Sequence, residues 1–218
     1  MPLFVDPVHE ALIVRHTALS SPRLCPDILL HLITPAQPLW RAGQAELDAL
    51  GLADPFWAFC WPGGQALAYY ISRYPESVRG KRVLAFGAGC GVEAIAAARC
   101  GAEVLASDTD PVAATAILLN ARRNNVSLRI TTDNLLGNLR SYWDIVLVGD
   151  VTYERELAKQ VRAWVTQLAH HGSRVLVADP QRGFFDREGW ITVAAYTPPA
   201  DDDEDGTKTV MTPVLTLG

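Results

Sequence analysis

From Lys81 onward the chain alternates short apolar runs with helix-length segments, and this rhythm constrains the fold more than any other feature. Arg82–Phe86, Val104–Ser107, Ser127–Thr131, Asp144–Val148 and Ser173–Ala178 read as strands. Between them, Val92–Arg99, Pro111–Asn124 and Glu154–His170 read as helices, with Pro111 suited to a first helical turn. Strands too apolar to face water on either side, separated by helices, form a parallel sheet covered on both faces. The ending departs from this pattern. Trp190–Tyr196 and Val210–Leu217 are strands with no helix between them, so they pair as an antiparallel hairpin. The fold class is therefore α/β, and the terminal hairpin separates it from a plain dinucleotide-binding fold.

The first 75 residues are less regular. Ile28–Thr34 reads as a strand, Ala42–Leu50 as a short helix and Gln65–Arg73 as a longer one, with Pro62, Gly63 and Gly64 forming a turn. We expect residues 1–75 to pack as an extension on a core formed by 76–218, in one domain overall. No run approaches 18 apolar residues, so no membrane span is expected. The N-terminus has neither the basic nor the apolar region of a secretory signal. The four cysteines show no CxxC spacing and no metal-ligand spacing with the five histidines. Reduced thiols, a cytoplasmic location and no metal are the resulting expectations. The net charge of −5 argues against a nucleic-acid partner.

Chemistry concentrates at the ends of the strands. Gly87-Ala88-Gly89-Cys90-Gly91 lies between a strand and a helix N-terminus, where backbone approaches a ligand closely. A dinucleotide fingerprint needs a glycine at position 92, which is Val92, and no phosphate-loop Gly-Lys-Ser/Thr follows. Asp108 ends the next strand, 21 residues after Gly87, where a carboxylate accepts both ribose hydroxyls. Its alternative role is as a helix cap, for which Asp110 is better placed. Asp133-Asn134 follows the third strand and can meet an adenine edge, or simply form a turn. Together these features indicate an adenosine site at Gly87, Gly89, Gly91, Asp108 and Asn134.

Phe56-Trp57-Ala58, Trp61-Pro62-Gly63-Gly64-Gln65-Ala66-Leu67, the GxGCG turn and Gly149-Asp150-Val151-Thr152-Tyr153 resemble the seven-β-strand lysine methyltransferases that carry a DxxY motif. Within that group the likeness is to the methyltransferases of the electron transfer flavoprotein β-subunit. It runs from about Pro26 to the C-terminus and includes Leu32–Pro35 and Asp179–Arg182. The resemblance implies a class I, seven-stranded, Rossmann-like fold with S-adenosylmethionine as cofactor. It also implies a protein substrate, the flavoprotein β-subunit, with Asp150 and Tyr153 beside the acceptor lysine and Trp61 near the cofactor; we expect a monomer. One residue departs from the family pattern. The position two before Gly87 is commonly acidic and here is Ala85, which removes a contact near the methionine end of the cofactor.

Other roles stay open for several of these residues. Asp150 can cap the helix starting near Glu154, and Trp57 and Trp61 can simply fill the core. Asp201–Asp205 reads as a solvated hairpin loop, or as a patch steering a basic partner. Two further functions fit the same core: methylation of a small nicotinamide-like amine, and a non-catalytic adenosine-binding module.

Overall fold

A computed structural model describes residues 5–140, 142–180, 182–198 and 210–218. In chain order the N-terminal region forms α1 (Pro7–His16), β1 (Ala18–Ser20), β2 (Leu30–Leu32), α2 (Gln44–Ala49) and α3 (Pro62–Arg73). The regular region follows as β3 (Arg82–Phe86), α4 (Val92–Arg99), β4 (Glu103–Ser107), α5 (Pro111–Arg123) and β5 (Arg129–Thr131). It continues with β6 (Ile145–Gly149), α6 (Arg155–His170), β7 (Arg174–Ala178), β8 (Trp190–Tyr196) and β9 (Thr212–Leu217).

Seven strands make one sheet in the order β5-β4-β3-β6-β7-β9-β8. Pairings among β3 to β7 are parallel, while β9 runs antiparallel to both β7 and β8. The terminal hairpin thus inserts its second strand beside β7. The run Asp201–Asp205 lies outside the described residues.

The apolar strands are covered on both faces. Val83, Ala85, Ile145, Leu147, Leu176 and Ala178 join a core with Leu67 and Ile71 of α3 and Ile95 of α4. The alternate residues Leu84, Val146, Val148, Val175 and Val177 pack on Val161, Trp164 and Leu168 of α6. Period-two alternation in each strand therefore feeds two separate cores. Burying an aromatic such as Trp164 contributes about 1.5–3 kcal/mol.

Two regions differ from the sequence expectations. The strand expected over 28–34 is only β2, paired with β1; α1 and β1 lack a strong periodic signal. Asn120 of α5 and Asn124, its C-cap, hold this segment instead, accepting from the N–H groups of His31 (2.7 Å) and Leu29 (3.1 Å). The second difference bears on function. Pro62, Gly63 and Gly64 are not a turn before a helix but the first turn of α3. Proline suits that position, and the two glycines are there because of what they touch.

Candidate active site

Parallel strand order reverses at β3, with β4 on one side and β6 on the other. Connections leave in opposite directions there, so a crevice opens at the carboxyl ends of the strands. A cavity of about 690 Å³ lies in this crevice. That volume suits a small-molecule ligand. Trp61, Gly87, Gly89, Asp108, Asn134, Asp150 and Tyr153 all line it. Gly91 is placed elsewhere. It caps α4 at φ +80°, and a Cβ there would crowd Ile117 at 3.2 Å. Its glycine serves the packing of the turn rather than the cavity wall.

On one side of the cavity the glycine turn is bound to the end of β4. Asp108 accepts from the N–H of Gly89 at 2.8 Å and from that of Asp110 at 3.1 Å. Asp110 takes the capping role, accepting from Val112 N at 2.7 Å. Gly89 has φ +50°, and a Cβ built on it would meet nothing closer than 3.9 Å. Its bare backbone therefore faces open space where a ligand can approach. Burial raises the Asp108 pKa, against the two backbone N–H groups, which lower it. Asn134 accepts from Leu136 N at 3.0 Å, so its side-chain oxygen makes the turn while the residue still faces the cavity.

The opposite side is assembled from distant segments. Asp150 follows β6 with φ +59°, a left-handed conformation uncommon for a non-glycine residue. It does not cap α6, whose N-cap is Glu154. Its Oδ2 instead accepts from Gly63 N at 2.5 Å and Gly64 N at 3.1 Å, capping α3. A Cβ on Gly63 would press on Ala178 O, Asp150 Oδ2 and Asp150 N, so only glycine brings this helix end so close. The other oxygen, Oδ1, accepts from Arg182 Nη1 at 2.7 Å. Burial is the largest influence on Asp150 and raises its pKa; the Arg182 guanidinium pulls it back down.

Arg182 is held in turn. Its N–H donates to Asp179 Oδ1 at 3.0 Å, and Asp179 Oδ2 accepts from the Thr152 hydroxyl at 2.5 Å. Its guanidinium carbon lies 5.9 Å from the Trp61 ring centroid, in the range of a cation–π contact. Trp61 donates through Nε1 to Phe56 O at 2.9 Å, and Phe56 packs on Tyr153 with centroids 5.7 Å apart. Trp57 is 2% exposed, and its burial in a core cluster supports the packing role. Arg182 closes the Asp179–Arg182 string that resembles the family, but the string assigns it no role; that needs the three-dimensional pairing with Asp150.

Glu93, in the first turn of α4, was likewise not singled out by sequence. It is 2% exposed, and its Oε2 lies 3.2 Å from where a Cβ on Gly64 would sit. Burial, with Asp150 and Asp108 nearby, pushes its pKa up to about 8. Ala85 is fully buried within β3, so Glu93 is the buried carboxyl closest in sequence to the glycine turn.

Comparison with known proteins decides the family. Residues 56–189 match the model of a lysine methyltransferase family. The electron transfer flavoprotein beta subunit lysine methyltransferase of Xenopus laevis is 43% identical over 81% of this chain and 72% of its own. This chain belongs to the lysine methyltransferase family. The protein of the same description from Homo sapiens is 40% identical over 84% of this chain and 70% of its own. Among solved structures, the magnesium protoporphyrin IX methyltransferase of Synechocystis PCC 6803, with bound SAM, superposes with a TM-score of 0.54. That match covers 83% of this chain and 88% of the other at 15% identity, and so supports the fold. The methyltransferase thus has the class I architecture expected from its strand pattern. No group able to hold a metal ion occurs among the described residues, and none of their helices is long and apolar enough to cross a membrane.

Proposed function

We propose that this methyltransferase transfers a methyl group from S-adenosylmethionine to lysine side chains of the electron transfer flavoprotein β-subunit. The observation carrying this reading is the 39–43% identity, over most of the chain, to methyltransferases described as acting on that subunit. The cavity supports it. Gly89 leaves open space at the turn, where this reading puts the adenosyl group, and Asp108 lines the same cavity with acceptor capacity for ribose hydroxyls. Gly87, Asn134 and Trp61 complete the cofactor side, and Asp150 and Tyr153 the acceptor side. The free cysteines fit a reducing compartment such as the cytoplasm.

The bound cofactor supplies an electrophilic methyl on a sulfonium. The protein must supply a neutral amine in line with it. A lysine of pKa 10.4 is about 99.9% protonated at neutral pH, so the acceptor site must favour loss of its proton. Enclosure by Phe56, Trp61 and Tyr153 removes water from the amine, which lowers its pKa. Asp150 fixes the direction of approach, and such alignment supplies much of the rate. The nitrogen–carbon bond forms as the sulfur–carbon bond breaks; the lysine proton passes to solvent.

The test is incubation of the enzyme and S-adenosylmethionine with recombinant electron transfer flavoprotein, followed by intact-mass measurement. The β-subunit should gain whole methyl increments, mapped to lysines by peptide analysis. A β-subunit that stays unmodified while a small amine is methylated would overturn the assignment.

A further inference from the structure

Asp150 has little capacity left for an incoming lysine. One oxygen is taken by two N–H groups at the positive end of the twelve-residue helix α3, the other by Arg182. A carboxylate so compensated is a poor trap for an ammonium ion. Trapping an ammonium would in any case work against a reaction that requires the neutral amine.

We infer that Arg182 is a positioning residue that cancels the charge of Asp150, so that the acceptor lysine binds beside the pair as a neutral amine. This rests on the proposed lysine acceptor and goes beyond it by naming how the site sets the amine's protonation state. The geometry carries the inference. Nη1 lies 2.7 Å from Oδ1, the guanidinium faces the same cavity as Trp61 and Tyr153, and Asp179 fixes the arginine backbone. Asp150 is 9% exposed, so the interaction is only weakly screened on its side. The arginine side chain is 26% exposed and can shift as the lysine enters.

Among the described residues, the other charged groups near the pair have partners of their own or line the same cavity. Glu93, on α4, carries a proton below a pH of about 8. Asp108, at the end of β4, holds the glycine turn, and Asp110 caps α5. Asp179 is engaged by Thr152 and by the Arg182 backbone. Asp54 also lines the cavity, and Tyr153 keeps its proton, its pKa raised. Glu154 stands at the start of α6, and Arg155 lies over Phe184 at 5.8 Å. Among the described residues, Arg182 is therefore the cation that offsets Asp150 where the amine must sit.

The sign follows directly. A positive charge beside an amine lowers its pKa, and an uncompensated carboxylate raises it. Removing the guanidinium should thus raise the pKa of the bound lysine by about one unit. The experiment measures single-turnover methylation of the flavoprotein β-subunit from about pH 6 to 10 for wild type, R182Q and R182K. In R182Q the rising limb should move up by about one pH unit, giving roughly tenfold slower transfer at pH 7 that converges with wild type near pH 10. R182K should return most of the way, and S-adenosylhomocysteine affinity should be unchanged in both. An unmoved midpoint overturns the inference, whether the rates are equal or uniformly lower. Should R182Q fail to fold, D150N gives the opposite test: with the guanidinium left alone, the midpoint must fall, and a fixed or rising midpoint overturns the role. A wild-type enzyme that leaves the β-subunit unmodified overturns the proposed function and this inference with it. Wild-type methylation with an unmoved midpoint sinks only Arg182.

Discussion

Asp108 and Asp150 stand at the ends of β4 and β6 and line one cavity, but they are built in opposite ways. Asp108 bonds to Gly89, 19 residues back in the β3–α4 turn, and to Asp110, two residues on. Asp150 bonds to Gly63, Gly64 and Arg182, which lie 87, 86 and 32 residues away. Among the described residues Asp108 accepts from two backbone N–H groups, so lone pairs remain for further donors. Asp150 already meets two N–H groups and a guanidinium. One side of the cavity is thus a local motif with capacity to spare. The other is a junction of three segments whose carboxylate first holds the protein together.

Asp150→Asn should give the largest effect and separate the two sides most sharply. Cofactor affinity should be retained, because nothing on the Asp108 side changes. The high-pH plateau of single-turnover methylation should fall by a factor on the order of 10²–10⁴, as expected when a positioned group at the reacting centre is lost, even as the midpoint moves down. The amide oxygen can still accept from Gly63, but the guanidinium loses its counter-charge. Because Arg182 is partly exposed, the stability cost should stay near 1–2 kcal/mol. Near-normal turnover with a lowered melting temperature would leave Asp150 as a helix cap alone.

Asp108→Ala probes the other side. Affinity for S-adenosylhomocysteine should weaken by roughly 2–3 kcal/mol, for two hydrogen bonds to a charged acceptor. Transfer at saturating cofactor should change far less, since the acceptor side is untouched. Titration calorimetry decides it, and an unchanged affinity would remove Asp108 from the ribose site.

The same contrast explains what was legible in the sequence. Local features read through: the β3-to-β4 unit, the glycine turn, Asp108 with Asp110 as cap, and the antiparallel ending. Their determinants lie in neighbouring segments of the chain. Asp150 and Tyr153 could be picked out by family resemblance, but not the partners of Asp150, because capping a helix 87 residues away leaves no trace in spacing. For the same reason Pro62-Gly63-Gly64 read as a turn. Glycines weaken a helix interior, and only the carboxylate that receives their N–H groups makes the first turn of α3 favourable. The roles of Arg182 and Glu93 were unreadable for a related reason: the Asp179–Arg182 string does not show a partner 32 residues away, and Glu93 sits among small residues that hide its burial.

Tyr153→Phe is the smallest expected effect and the finest test of what the acceptor side contributes. Tyr153 is 49% exposed and packs its ring on Phe56. Burial of the hydroxyl, followed by the charges of Glu154 and Asp108, raises its pKa above the ordinary tyrosine value. The raised pKa favours the neutral phenol, which suits it to donate a hydrogen bond rather than to take the lysine proton. What remains is an aromatic wall plus a neutral hydroxyl, and the hydroxyl's share is at most about 1 kcal/mol, or roughly fivefold. Phenylalanine keeps the wall, so turnover should fall by no more than that, with the pH midpoint in place. Tyr153→Ala removes the ring as well, adding the loss of about 0.5–1.5 kcal/mol of aromatic contact and opening the amine to water. Measured by single turnover across pH, the alanine variant should therefore be slower than the phenylalanine variant and shifted to higher pH. A Tyr153→Phe variant that loses a hundredfold, or moves its midpoint, would place the hydroxyl on the amine and give Tyr153 the part assigned to Asp150 and Arg182.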